Sequence, residues 1–258
     1  MRWTVLVVLT LAGCVRAGFE IGADGPRGDG DASPADHAAI ADGPHADGPG
    51  IADGYRPDKL TPDGPVAGTG VIVPLYVDPP HNTWTTLAQA KQAHPKVEVI
   101  AVANVESGPG KTSHAYYETG IAALTQAGVV VIGYVWTEYG SRSQSAVKQE
   151  IDSWRDWYGP SGLKGIFFDG QAATAGLETC YQSLSTYAKA QGLSLTVGDP
   201  GVDPAPSYVG TVDTMVIYQG AGVDNALLTS LGGWHTNHDR KNFAILAYEV
   251  PTLDASFV

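Results

Sequence analysis

The sequence predicts an α/β fold, a (β/α)8-type TIM barrel readable as seven strands, and three observations carry that expectation. Short apolar, β-branched runs alternate with longer helix-compatible stretches along residues 66–258. Those runs are apolar throughout instead of alternating in polarity, as in strands buried on both faces of a parallel sheet. Seven such units in succession favour closure into a barrel over an open, doubly wound sheet.

Taken in order, Val71-Ile72-Val73 opens a strand over 71–77, followed by a helix at 84–93. A second strand at 97–103 leads to a helix at 115–127, and the run Val129-Val130-Val131-Ile132 sets a third strand at 129–135 before a helix at 143–157. Gly165-Ile166-Phe167-Phe168 defines a fourth strand at 165–169, with a helix at 176–191. The fifth strand is expected at 193–198, then a short stretch around Tyr208, a sixth strand at 214–218, a helix at 225–231 and a seventh strand at 243–248. Only 251–258 follow, so the barrel is expected to be incomplete at the C-terminus: either the sequence is a truncated product or closure is imperfect, with an exposed sheet edge. Asp78-Pro79-Pro80 stands after the first strand where a nucleotide site would need a Gly-rich turn.

Ahead of this domain lie two other regimes. Residues 1–14 carry Arg2, an apolar run over 4–12 and then Leu11-Ala12-Gly13-Cys14, which resembles the bacterial lipobox and marks Cys14 for lipidation after export. With Cys14 acylated, Cys180 has no partner for an intrachain disulfide. In 15–65, Gly and Pro make up 17 of 51 residues, too little apolar surface to offset chain entropy, so a disordered tether is expected. Its reach as a Gly-rich coil is on the order of 40 Å. The protein is thus expected to be secreted and anchored to the cell envelope, meeting the membrane only through the lipid on Cys14. The tether holds −6 of the net charge of −12, and an acidic chain of this kind is a poor partner for nucleic acid. A monomer is expected.

In a barrel of this type chemistry sits where strands end on their C-terminal side. That rule selects Tyr76 and Asp78, Asn104 and Glu106, Tyr134, Thr137, Glu138 and Tyr139, Asp169, Asp199, Gln219 and Glu249. Asp169 is the sharpest, because a wholly apolar strand ending on a carboxylate must direct that charge to solvent or to a polar cleft; a helix N-cap is its alternative reading. Tyr76, Tyr134, Tyr139 and Tyr218 suit the apolar face of a sugar, or alternatively pack the barrel mouth. No cofactor is expected and no metal, since His235, His238 and Asp239 match no zinc spacing. Ser107-Gly108-Pro109-Gly110-Lys111-Thr112 lacks the spacing of a phosphate loop and reads as a turn.

The ordered series Val73-Pro74-Leu75-Tyr76, Asn104 with Ser107-Gly108-Pro109-Gly110, Gly133-Tyr134-Val135 with Thr137, Tyr139-Gly140 and Arg142, Trp157-Tyr158 and Gly165-Ile166-Phe167-Phe168-Asp169 resembles the spherulin-4-like family. Pro200-Gly201, Tyr208 and Asp213 extend the resemblance. It implies a secreted barrel glycosidase cleaving α-1,4-linked galactosamine-containing polysaccharides. The family's Asp-Glu after strand four is Asp169-Gly170 here, and its Phe-Glu at the end of strand six is Tyr218-Gln219. A glycosidase needs two carboxyl groups, so Asp169 calls for a second, with Glu138, Glu249 or the acetamido group of the substrate as the candidates. Tyr76, Asn104, Tyr134, Tyr139, Asp199, Tyr218 and Gln219 are the expected substrate-binding residues. A degenerate barrel that binds polysaccharide without cutting it is the alternative.

Overall fold

The computed structural model describes residues 70–222 and 233–250. The expected export signal with Cys14, the tether, the 225–231 helix and the 251–258 tail lie outside them. The elements are β1 (Gly70–Leu75), α1 (Asn82–Ala93), β2 (Glu98–Ala103), α2 (Ala115–Gln126), β3 (Val130–Trp136), α3 (Gln144–Tyr158), β4 (Gly165–Asp169), α4 (Glu178–Ala190), β5 (Leu195–Asp199), β6 (Thr214–Ala221) and β7 (Phe243–Tyr248). All strands run parallel in one sheet of order β1-β2-β3-β4-β5-β6-β7, curled into a nearly closed barrel.

Burial on both faces explains the unbroken apolar strands. Each of the seven strands contributes to the barrel interior, where Ile72, Val102, Ile132, Phe167, Val197, Val216 and Leu246 belong to one cluster. Their neighbours in sequence face outward and pack under the helices in a larger cluster, as Ala101, Val131, Ile166 and Ile245 do against Ile121, Ile151 and Leu184. Helix α3 meets the sheet along Val147, Ile151, Trp154 and Tyr158, a spacing of three and four residues that keeps one face inward. Its start is fixed by Ser143, whose hydroxyl accepts the Ala146 N–H at 3.3 Å.

Two departures from the expected elements have local causes. Leu193 belongs to the turn that ends α4, its N–H donating to Ala188 O, and it packs in the outer cluster, so β5 begins at Leu195. In β6 the register with β7 shifts between Val216 and Tyr218, leaving Ile217 as an extra residue. The shift reverses which residues face inward beyond it.

A cavity of about 730 Å³ opens at the N-terminal ends of the strands, lined by Val71, Val130, Leu195 and Phe243. It lies opposite the end at which the strands present their carboxylates.

Candidate active site at the barrel mouth

Strand alternation decides which side chains meet at the mouth. Starting from the interior residues and stepping by two, the inward positions at the C-terminal ends are Tyr76, Asn104, Tyr134, Trp136, Asp169 and Asp199. In the sheet register Trp136 is opposite Asp169, and Asp169 is opposite Asp199. After the β6 bulge Gln219 pairs with inward Leu246 and so joins this set, whereas Tyr218 pairs with outward Ile245. Tyr218 therefore packs in the outer cluster, with its hydroxyl donating to Gly222 O at 3.3 Å, and is not gathered with the other rim tyrosines.

The two aspartates occupy unequal surroundings. Asp169 accepts the Tyr134 hydroxyl on Oδ2 at 2.5 Å and the Gly170 N–H on Oδ1 at 2.9 Å. Burial raises its pKa above the ordinary carboxylate value, and those two donors oppose the rise. Asp199 is only 2% exposed. Its burial, reinforced by the nearby charge of Asp169 and opposed by the Gly201 N–H at 2.8 Å, pushes its pKa up to about 7. The amide of Gln219, oriented to donate, reaches Asp199 Oδ2 at 2.8 Å and Oδ1 at 3.2 Å, while the rest of that side chain is exposed. Tyr76 lies half-exposed, edge-on to Tyr134 with centroids 5.8 Å apart. Burial of its hydroxyl end, then Asp169, Tyr134 and Asp199, raises its pKa and keeps it a neutral donor.

The helix N-cap reading of Asp169 is excluded, because α4 begins at Glu178 with Leu177 at its N-cap. Glu138 and Glu249 are exposed, on left-handed backbone with φ of 52° and 53°. Among the described residues no hydrogen bond joins either side chain to Asp169; the carboxyl whose ionisation Asp169 opposes is that of Asp199. Asn104 is at an inward position, and its side-chain oxygen is engaged by the Gly108 N–H at 3.2 Å, closing the turn read from the sequence. Tyr139 is 60% exposed and stands edge-on to Trp136, centroids 5.5 Å apart. Trp136 is not among the residues read from the sequence as candidates, and β3 runs one residue beyond the expected 129–135 to include it. The alternation that makes Tyr134 inward is the signal that finds it. Among the described residues no group of three or more His, Cys, Asp and Glu has the arrangement to hold a metal ion.

The order of motifs along this barrel agrees with the model of a protein family described as spherulation-specific family 4, which matches residues 70–257. The chain belongs to that family. Spherulin-4 of Physarum polycephalum is 36% identical over 154 residues, 59% of this chain, and the match spans 45% of that protein's length. Among solved structures, Sph3 of Aspergillus clavatus, crystallised in complex with GalNAc, aligns with a TM-score of 0.64 and 27% identity over 73% of this chain and 81% of the other. The barrel architecture is thus shared with a sugar-binding relative, and the mouth described above is the end at which barrels of this type bind ligands.

Proposed function

We propose that this protein is a glycoside hydrolase of α-1,4-linked galactosamine or N-acetylgalactosamine polysaccharides, displayed at the bacterial cell envelope through a lipid on Cys14. The observation that carries the reading is the in-register pair Asp169 and Asp199 at the ends of adjacent strands, with environments that separate their proton affinities. Two carboxyl groups of unequal pKa are what glycosidic cleavage requires. The second carboxyl that the family has on β6 or after β4 is supplied here from β5.

In this mechanism Asp199 holds a proton below about pH 7 and gives it to the glycosidic oxygen as the bond to the anomeric carbon breaks. Asp169, ionised and steadied by Tyr134 and Gly170, either attacks that carbon or takes a proton from the water that does. Gln219, hydrogen-bonded over Asp199 and exposed at the mouth, swings aside as the sugar enters. Tyr76 presents an apolar ring edge and a hydroxyl to the same sugar. Binding of GalNAc by the Sph3 relative supports the amino-sugar assignment.

Binding without cleavage is the second reading, favoured by Gly170 and Gln219 standing where the family has carboxylates. Release of reducing ends from acetylated and deacetylated galactosaminoglycan separates the two. Cleavage by wild type and its loss in Asp169→Asn is the expected result; retention of the polymer by wild type with no new reducing ends would establish the binding reading instead.

A further inference from the structure

We propose that Trp136 and Tyr139 form a second sugar subsite, for the hexosamine next to the one held at Asp169, so that this mouth reads a polymer and not a single sugar. The inference rests on the amino-sugar reading above.

Trp136 lies on the same inward face of β3 as Tyr134, two residues and about 6.6 Å further out, a step comparable to one pyranose unit. Its inner side packs on the barrel interior. Its six-membered ring covers Gly170: a Cβ built there would stand 2.5 Å from Cζ3 and 2.7 Å from Cη2. Gly170 also has φ of +59°, in the region that favours glycine. The position at which the family resemblance implies a glutamate is therefore not merely lacking a side chain. The indole occupies the space that a side chain there would need, so the mouth presents an apolar surface at this point.

The surrounding backbone fixes that surface. Arg142 donates to Trp136 O while pairing with Glu150 at 2.5 Å. Thr137 N–H donates to Asp169 O at 2.8 Å, the Thr137 hydroxyl to Gly170 O at 2.6 Å, and Tyr139 N–H to Gly170 O at 2.7 Å. The segment bearing both aromatics is thus clamped to the segment bearing Asp169. Tyr139 is held on left-handed backbone (φ 52°) with its ring 60% exposed, a strained conformation that adds little to the core. Its edge-on contact with Trp136, at 80° between ring planes, forms a corner of the kind that takes the C–H face of a pyranose while leaving the hydroxyls in water.

The test is calorimetric binding of N-acetylgalactosamine and of its α-1,4-linked tetrasaccharide to the full chain, with Asp199→Asn in every sample to prevent turnover. The readout is the ratio of tetrasaccharide to monosaccharide affinity. Trp136→Ala is expected to lower that ratio about tenfold and Tyr139→Ala about threefold, with Trp136→Phe retaining most of it. A purely structural role for the corner would lower the melting temperature and leave the ratio unchanged, and that result overturns the inference while sparing the hydrolase reading. Tyr139→Ala decides the matter if Trp136→Ala does not fold, since that ring is exposed. Failure of wild type and of the Asp199→Asn parent alike to bind either sugar would overturn both readings.

Discussion

At the scale of the residue, Asp199 is the group whose proton matters most. Asp169 faces it from β4, with Tyr76 and Tyr134 close by, and none of these supplies a positive charge; from β6 the Gln219 amide donates to it, which favours the ionised form and works against the rise until that side chain moves away. A carboxyl with a native pKa of about 7 and an unfolded value of about 3.9 binds its proton more tightly in the native state across that window. The contribution to stability is full below pH ~4 and is lost as pH rises through about 7. Thermal melts should therefore show wild type losing stability relative to Asp199→Asn between about pH 4 and pH 7, a trend that vanishes if Asp199 titrates normally. Tyr134→Phe removes a donor that lowers the pKa of Asp169, so the acidic limb of kcat/KM should move to higher pH. The rate should fall by about tenfold to a hundredfold, from a hydrogen bond to a charged group worth ~1.5–3 kcal/mol; an unmoved limb would mean that Asp169 is not the group titrating there. Asp169 was legible in the sequence, because an apolar strand ended on it. Asp199 also reads as a strand-end residue, but its place opposite Asp169 is a matter of sheet register, which sequence does not give. Position along a chain likewise does not give the left-handed backbone on which Glu138 and Glu249 stand exposed.

Elements explain why the mouth keeps its shape. Gly133 on β3 lies under the indole of Trp154, where a Cβ would come within 2.4 Å of Cδ2, and the same indole N–H donates to Tyr134 O at 2.8 Å. Trp154 is fully buried on α3 and cannot retreat. Gly133→Ala is accordingly expected to cost about 1–3 kcal/mol or more by overpacking, measured as a lower denaturation midpoint. An unchanged midpoint would contradict the close approach of α3 to β3. Most strands were legible because burial on both faces leaves unbroken apolar runs, and β4 and β7 have the expected bounds. Leu193 looked like strand because an apolar residue closing a helix and one opening a strand are alike in sequence. The extra residue in β6 left no such signature: Met215-Val216-Ile217-Tyr218 is uniformly apolar, so nothing announces that the bulge at Ile217 turns Tyr218 outward and Gln219 inward.

For the whole molecule, the barrel gathers residues from separate strands into one mouth, and the proposed lipid at Cys14 and tether would hold that mouth at the cell envelope. Cys14→Ala should abolish labelled fatty-acid incorporation and move the protein from the membrane fraction to the soluble one; unchanged labelling would rule out Cys14 as the acylated residue. The central claim is that Asp199 serves with Asp169 as the cleaving pair. Its most direct test is release of reducing ends from galactosaminoglycan by wild type and Asp199→Asn, measured from about pH 4 to pH 9. The account predicts cleavage by wild type that declines above about pH 7, and a loss of about a hundredfold or more in Asp199→Asn below about pH 7 that narrows as pH rises further. Full activity in Asp199→Asn, or no release by wild type at any pH, would contradict it.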